Sequence, residues 1–114
     1  MPIESAYVLV VSMDVERGHE DEFNEVYDSE HIPYLLEVPG VRAARRMKGE
    51  AFSMSLGGEI KEMPTPRPVW SAVYEIDSPD VLTSDAWKEA VERGRWPSVR
   101  PYTSNRSAAV YKVR

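Results

Sequence analysis

Residues 6–13 read AYVLVVSM, a run in which almost every side chain is aliphatic, aromatic or β-branched. This composition favours a β-strand. Successive side chains of a strand point to opposite faces, so both faces of this strand are apolar. One face carries Tyr7, Leu9, Val11 and Met13, and the other carries Ala6, Val8 and Val10. The strand must therefore be covered on two sides, and the rest of the chain has to supply that cover.

An amphipathic helix is predicted next, over residues 19–31 (HEDEFNEVYDSEH). Acidic residues crowd its first turn, where the positive end of the helix dipole stabilises them. At the helical period, its inward arc carries Phe23, Val26, Tyr27 and Glu30, with His31 at the flank. Pro33 disfavours helical geometry at the residue before it, so we expect the helix to end or kink there. Residues 34–38 then add another short turn.

The second half of the chain alternates in the same way between strands and a helix. Strands are predicted over residues 41–47 (VRAARRM), 69–77 (VWSAVYEID) and 107–113 (SAAVYKV). A helix is predicted over residues 85–94, preceded by caps at Ser78 and at Thr83 or Ser84 and ended by Gly94. Residues 49–68 contain clustered glycines and prolines, which predicts a long hairpin connection, a variable loop or an arm.

The predicted order is β-α-β-β-α-β in one domain spanning residues 1–114, which is the ferredoxin-like α+β arrangement. Right-handed crossovers place both helices on the same face of a four-stranded antiparallel sheet. The other face stays apolar and uncovered. A second copy of the chain is the simplest cover, so we expect a homodimer packed through the sheet faces.

The composition excludes several classes of function. The formal charge is -5 and the basic residues are scattered, which argues against binding to nucleic acid. There is no cysteine, so neither disulfides nor thiolate chemistry are expected. His19 and His31 are too far apart to share a metal ion, and no cofactor motif is present. The chain shows no signal peptide or membrane segment, so we expect a cytoplasmic protein that needs no cofactor.

Residues 21–46 read DEFNEVYDSEHIPYLLEVPGVRAARR and resemble the EthD-like branch of the dimeric α+β barrel superfamily. In that branch a helix ends in an aromatic residue, an acid and His-Ile-Pro, followed by a Val-Pro-Gly turn and an arginine-bearing strand. The resemblance implies the fold and the dimer derived above. It also implies a pocket between helices and sheet, and cofactor-free chemistry on quinols, polyketides or lactones, with His31 as the pocket acid or base.

His31 has two readings at the residue level. An imidazole titrates near neutrality and can act as a general acid or base. It can equally cap carbonyl groups freed where Pro33 breaks the helix. Glu30 on the inward arc needs a partner, because an unpaired buried carboxylate is costly. The candidate partners are Arg45 and Arg46, of which strand alternation lets only one face the helices. We favour Arg45, because it shares a side with Val41, Ala43 and Met47. It either forms a structural pair with Glu30 or holds an oxyanion or phenolate.

Three aromatic residues complete the candidate ligand site. Tyr27 lies one helical turn before His31 and is expected to position a ligand. Trp96 and Tyr102 lie in irregular chain and either gate the pocket or pack. The sequence thus favours an enzyme acting by proton transfer on a hydrophobic, aromatic or polyketide-like molecule. The alternatives are a non-catalytic binding or accessory dimer, for which a closed pocket would argue, and a purely structural oligomer.

Overall fold

A computed structural model describes residues 2–114 and shows a sheet-forming chain with short helices between its strands. The strands are β1 Tyr7–Val15, β2 Val41–Lys48, β3 Phe52–Leu56, β4 Glu59–Met63, β5 Trp70–Ile76 and β6 Thr103–Lys112. The α-helices are α1 Glu20–Val26, α2 Ile32–Leu36, α3 Asp85–Val91 and α4 Trp96–Val99, with a π-helical turn at Tyr27–His31 and 3₁₀ turns at Pro79–Thr83 and Arg100–Tyr102. None of the helices within residues 2–114 has the length and apolarity needed to cross a lipid bilayer.

Four of the strands form one antiparallel sheet in the order β2-β5-β1-β6. In its register Leu9 of β1 lies opposite Tyr74 of β5 on one side and Val110 of β6 on the other. The helices pack on one face of this sheet, and the buried core lies between the two layers. This arrangement confirms the predicted ferredoxin-like α+β fold.

The two faces of the sheet differ in cover, as the sequence predicts. The helix-side face of β1 and β5 contributes buried Leu9, Met13, Ala72, Tyr74 and Ile76 to the core. On the outer face the cross-strand pair Val10–Val73 is half-buried. At the rim of that face, Met47 and Tyr111 are 47% and 59% exposed. The centre of the outer face is thus apolar and has no helix over it, whereas the charged Arg45 lies exposed beside Val73 on the same face.

Strand β2 differs from the sequence prediction because it contains a β-bulge. Val41 lies opposite Ile76 and Ala43 lies opposite Glu75, so Arg42 is an extra residue in the ladder. A bulge reverses the alternation of every side chain that follows it. The prediction that Arg45 shares a face with Val41 is therefore wrong. Ala44 and Arg46 share the helix side with Val41, and Arg45 is exposed on the outer face.

The helical chain does not end at Pro33, which was one of the two outcomes predicted there. Regular α-helix ends at Val26, a π-helical turn follows, and α2 continues through the proline. The amide of Ile32 donates to the carbonyl of Tyr27, five residues back. Proline has no amide hydrogen and its ring crowds the carbonyl four residues earlier. A wider turn just before it relieves that crowding, so the chain remains helical on both sides of the proline.

Residues 50–63 form a projecting hairpin, which we call the arm. Its strands β3 and β4 pair with each other in a separate two-stranded sheet. The turn between them is Gly57-Gly58, with φ values of +60° and +85°. A two-residue turn with both φ values positive matches the right-handed twist of a hairpin. Segment 49–68 therefore contains ordered structure that leaves the body of the fold between β2 and β5.

The turn before β2 depends on Gly40. Its φ is +95°, and a Cβ built there would lie 2.5 Å from Cγ2 of Val81. Gly18 has a similar φ of +93° but nothing within 4 Å of such a Cβ. An alanine at either position would meet similar backbone strain, but only an alanine at position 40 would also overlap a neighbouring side chain.

We expect Gly40→Ala to lower the free energy of unfolding more than Gly18→Ala does. Both variants force alanine into a left-handed conformation, which costs roughly 1–2 kcal/mol. Gly40→Ala also overpacks Val81, which adds roughly 1–3 kcal/mol. Urea unfolding of the two variants measures the difference. Equal losses would show that Val81 moves aside freely.

Candidate functional site

His31 lies in the core between the helices and the sheet. Its side chain is 5% exposed. The imidazole stacks on Trp96, with ring centroids 4.3 Å apart and planes inclined by 20°. Tyr27 meets it edge-on, with centroids 5.0 Å apart. Within residues 2–114 the buried Nδ1 atom has no hydrogen-bond partner. This atom therefore does not cap helix carbonyls, which was the structural role predicted for His31 as the alternative to acid–base chemistry.

Burial lowers the pKa of His31 from 6.5 to about 4, because the charged form loses its hydration. The positive charges of Arg100 and Arg46 lower this pKa further, while Glu92 opposes them. The imidazole is accordingly neutral at pH 7. In a neutral imidazole one nitrogen carries a hydrogen and the other can accept a proton.

Arg46, and not Arg45, is the arginine that faces the helices. Its Nη1 donates to Oδ1 of Asn24 and to Oδ1 of Asp28, both at 2.9 Å. Its Nε and Nη2 are buried and lack a hydrogen-bond partner in the described part of the chain. Arg45 is exposed on the other side of the sheet, because the bulge at Arg42 reverses the alternation.

Three aromatic rings surround the Arg46 guanidinium. Its Cζ atom is 4.3 Å from the ring centroid of Tyr27 and 5.2 Å from those of Phe23 and Trp70. Rings at this distance attract a cation through their electron-rich faces. The cation is thus held beside the same Tyr27 ring that contacts His31 on another side.

Two tyrosine hydroxyls meet in the same interior. The hydroxyl oxygens of Tyr27 and Tyr74 are 3.3 Å apart, and both side chains are buried. Burial raises the pKa of Tyr27 and raises that of Tyr74 well above 10. Both hydroxyls therefore stay protonated at neutral pH and can donate a hydrogen bond. The sequence did not predict the link between Tyr74 and Tyr27, because it depends on strand register.

Glu30 pairs with a different arginine from the one predicted. Its carboxylate accepts from the backbone amide of Arg95 at 2.9 Å and from the Arg95 guanidinium. These hydrogen bonds, backbone first, lower the pKa of Glu30. Arg95 also binds Glu25 at 3.0 Å. Glu30 thus belongs to an ion-pair cluster at the surface that ties α1 to the segment before α4, and it does not reach Arg45.

The two predicted gate residues separate in the structure. Trp96 is 4% exposed and packs between Phe23, Tyr27 and His31. Tyr102 instead stacks on His19, with centroids 3.6 Å apart, away from His31. Trp96 follows Gly94 and lies in a helix of four residues, so local chain structure constrains it less than a strand would.

Three surface grooves of residues 2–114 lie away from His31, which lines none of them. A groove of about 480 Å³ runs beside the base of the arm and is lined by Phe52 and Met63. A second of about 420 Å³ lies near Arg42 and Asp77, and a third of about 190 Å³ lies between α2 and α3. The space around His31 is filled by Trp96 and Tyr27. No three metal-binding side chains converge anywhere in the described residues.

No protein-family model matches the sequence, and no curated protein matches it. Solved structures do match over nearly the full length. An ethyl tert-butyl ether D (EthD) family protein of Bacillus halodurans has a TM-score of 0.57 at 15% identity, with 95% of this chain and 99% of that chain covered. The haem degrader MhuD of Mycobacterium tuberculosis, solved with two haems in its active site, has a TM-score of 0.55 at 16% identity, with 94% of each chain covered.

A proposed antibiotic biosynthesis monooxygenase of Bacillus cereus matches with a TM-score of 0.53 at 15% identity, covering 97% of this chain and 94% of that one. At these identities the likeness is one of fold. The chain has the ferredoxin-like α+β fold that these proteins share, and an EthD family protein is among them, as the sequence of residues 21–46 implied.

We expect the neutral state of His31 to make folding pH-dependent. The unfolded chain takes up a proton near pH 6.5, whereas the folded chain takes it up only near pH 4. Stability is thus lost as the pH falls from about 6.5 to 4, by roughly 3 kcal/mol for this one group. Denaturant unfolding at several pH values should show a shallower dependence for His31→Phe. Identical slopes in the wild type and the variant would contradict the shifted pKa.

Proposed function

We propose that the protein is a cofactor-independent enzyme that transfers a proton on a hydrophobic, aromatic or polyketide-like molecule. The reactions open to such a site are cyclisation, dehydration, isomerisation and oxygenation of a substrate carbanion. The observation that carries the proposal is the buried, neutral His31 with an Nδ1 that lacks a partner among residues 2–114. Buried polar atoms are nearly always paired, and exceptions concentrate where a site has a chemical task.

His31 accepts the proton in this proposal. A base with a pKa of about 4 is weak, but the causes of that value depend on what is bound. A substrate that becomes negative beside Arg46 offsets the positive potential that lowers the pKa. The imidazole then becomes a stronger base as negative charge develops on the substrate. Proton transfer and charge development thus favour each other.

Arg46 takes the role that the sequence suggested for Arg45. Its Nε and Nη2 hydrogens are free of hydrogen-bond partners in residues 2–114 and lie beside the Tyr27 ring. A guanidinium can stabilise an enolate or phenolate oxygen by charge-assisted hydrogen bonds. The protonated Tyr27 and Tyr74 hydroxyls are further donors in the same interior.

Access to this site requires movement of Trp96. Its ring covers His31 at stacking distance, where a flat substrate ring would be held equally well. Trp96 lies in the four-residue α4, so displacement of this side chain disturbs less hydrogen-bonded backbone than displacement of a strand would. We therefore propose that Trp96 is the gate, and we assign no gating role to Tyr102.

A second candidate is a non-catalytic protein that binds a small molecule or assists another enzyme. One observation favours it: His31 lines none of the three grooves, and its surroundings are filled by side chains. In this alternative the histidine is a packing residue. The two candidates differ in whether proton exchange on a bound carbon acid depends on His31.

The haem that the neighbour MhuD binds would need an iron ligand with open space beside it. In this protein one face of His31 is stacked on Trp96, and Tyr27 meets the ring edge-on. Displacement of Trp96 would open the space of one indole ring, which suits a ligand smaller than a porphyrin.

We further propose that the protein is a homodimer joined through the outer sheet faces. The Val10–Val73 pair at the centre of that face is apolar and has no helix over it. Serine hydroxyls at Ser12 and Ser71 bond to each other at 2.7 Å, which removes polar groups that would resist burial. Two copies of such a face can pair about a two-fold axis.

Val10→Lys tests the dimer. A lysine at the centre of the interface would be buried against its symmetry mate, which opposes association strongly. We expect the mass from light scattering to fall from twice 13.0 kDa towards 13.0 kDa, with circular dichroism unchanged. Glu22→Lys on α1 adds a lysine at an exposed position of the helix layer and should leave the mass at the wild-type value. A monomeric wild type would refute the dimer.

Solvent deuterium incorporation tests the proposed chemistry. Anthrone is a suitable first probe, because it is planar and has acidic C–H groups, and mass spectrometry can follow the exchange. We expect the wild type to accelerate exchange, and His31→Phe and Arg46→Gln to lower the rate about 100-fold or more. Arg45→Gln is the matched control and should retain the wild-type rate. An exchange rate that is the same in the wild type and in His31→Phe would refute the assignment of His31 as the base. It would favour the non-catalytic binding protein.

A further inference from the structure

The arm has an exposed apolar face and no support from the body of the protein. Strand alternation places Phe52, Met54 and Leu56 on one face of the hairpin, with Met63 directly opposite Phe52. The first three of these side chains are 53%, 40% and 43% exposed. An isolated two-stranded hairpin is marginally stable in water. The arm is therefore a surface that needs a partner.

The protein is more extended than a compact domain of its length. The radius of gyration is 15.7 Å, whereas a compact domain of about 100 residues has a value of about 13 Å. The arm leaves the sheet between β2 and β5, at one edge, and β6 forms the opposite edge. Strands β5 and β1 separate the β2 edge, where the arm begins, from β6, so a contact between the arm and β6 is most readily made between two copies.

Strand β6 has the properties that would complement the arm. It is an edge strand with Val110 and Tyr111 39% and 59% exposed. Long, exposed, apolar edge strands are normally protected, because their free backbone groups pair with other chains. The last segment, residues 103–114, contains the cations Arg106, Lys112 and Arg114 and no acidic residue. In a single chain these apolar and basic side chains of this segment are exposed to solvent.

The arm and strand β6 carry opposite net charges. Residues 50–63 contain three glutamates, at positions 50, 59 and 62, against one lysine. The arm is thus acidic and β6 is basic, and both expose large apolar side chains. Complementary potentials of this kind select the partner and the orientation of an interface. A groove of about 480 Å³ beside Phe52 and Met63 can receive a side chain from that partner.

We infer that the arm of one protomer packs on strand β6 of a second copy, so that two arms clasp the dimer reciprocally. This inference rests on the proposed sheet-face dimer and adds the contact that fixes its orientation. When two such sheets face each other about an axis parallel to the strands, the β2 edge of one lies over the β6 edge of the other. Each arm, which begins beside β2, is then placed next to the partner's β6.

Charge reversal with rescue tests the clasp. We expect Glu59→Lys, which changes a residue opposite Leu56 on the apolar face, and separately Arg106→Glu, to weaken the dimer about tenfold in sedimentation equilibrium. The two changes combined should restore an affinity near that of the wild type. Glu62→Lys is the control, because Glu62 lies opposite Ser53 on the other face of the hairpin and the substitution makes the same change in net charge. It should leave the dissociation constant unchanged.

The apolar face of the arm gives a second, independent measurement. Met54→Ser with Leu56→Ser should weaken the dimer about tenfold or more, through loss of apolar burial. Ile60→Ser is the matched control, since Ile60 pairs with Ser55 on the opposite face of the hairpin and is 74% exposed. It should leave the dissociation constant unchanged.

The outcomes separate the clasp from the dimer itself. If the charge reversals leave the dissociation constant of the dimer unchanged, or if their combination does not restore it, the clasp is refuted. The sheet-face dimer is not refuted by either result. Equal effects of Ile60→Ser and of the Met54 and Leu56 changes also overturn it. A wild-type monomer overturns both.

Discussion

The guanidinium of Arg46 organises the interior of this protein. Removing a charge from water is costly, and the cost is offset only when the charge finds good partners. Here an ion pair with Asp28 and the faces of three aromatic rings supply them. Those partners come from α1, the π-helical turn and β5, whereas the cation comes from β2. One side chain thus joins the helix layer to the sheet, and its charge helps to keep His31 neutral.

The sequence predicted the fold because each element carries its own local signal. The first half of strand β1 is apolar on both faces, and Ser78 and Ser84 cap the 3₁₀ turn at Pro79–Thr83 and helix α3. The same sequence did not predict which arginine faces inward. Strict alternation favours Arg45, and one bulge residue at Arg42 reverses that choice. Nothing in the letters VRAARRM marks a bulge, since a bulge is a property of how two strands pair.

The candidate site was partly predictable for the same reason. Tyr27 and His31 are neighbours on one helix, so their contact follows from spacing along the chain. Trp96 and Tyr74 join them only through tertiary packing, and Tyr102 leaves the site because His19 offers it a stacking partner. Glu30 likewise pairs with Arg95, near the helix surface, and not with an arginine of strand β2. Long-range partners depend on register and crossing geometry, which local patterns do not encode.

A neutral histidine among cations has a consequence for how this interior responds to a ligand. The low pKa of His31 has two causes, which are burial and the positive charges of Arg100 and Arg46. Ligand binding can change the second cause more readily than the first. Burial is fixed by the fold, whereas the cationic contribution weakens when an anion binds near those arginines. By linkage, an anion that raises the pKa of His31 binds more tightly when that imidazole is protonated. Ligand charge and histidine protonation are therefore coupled in this interior, whether the protein turns its ligand over or only holds it.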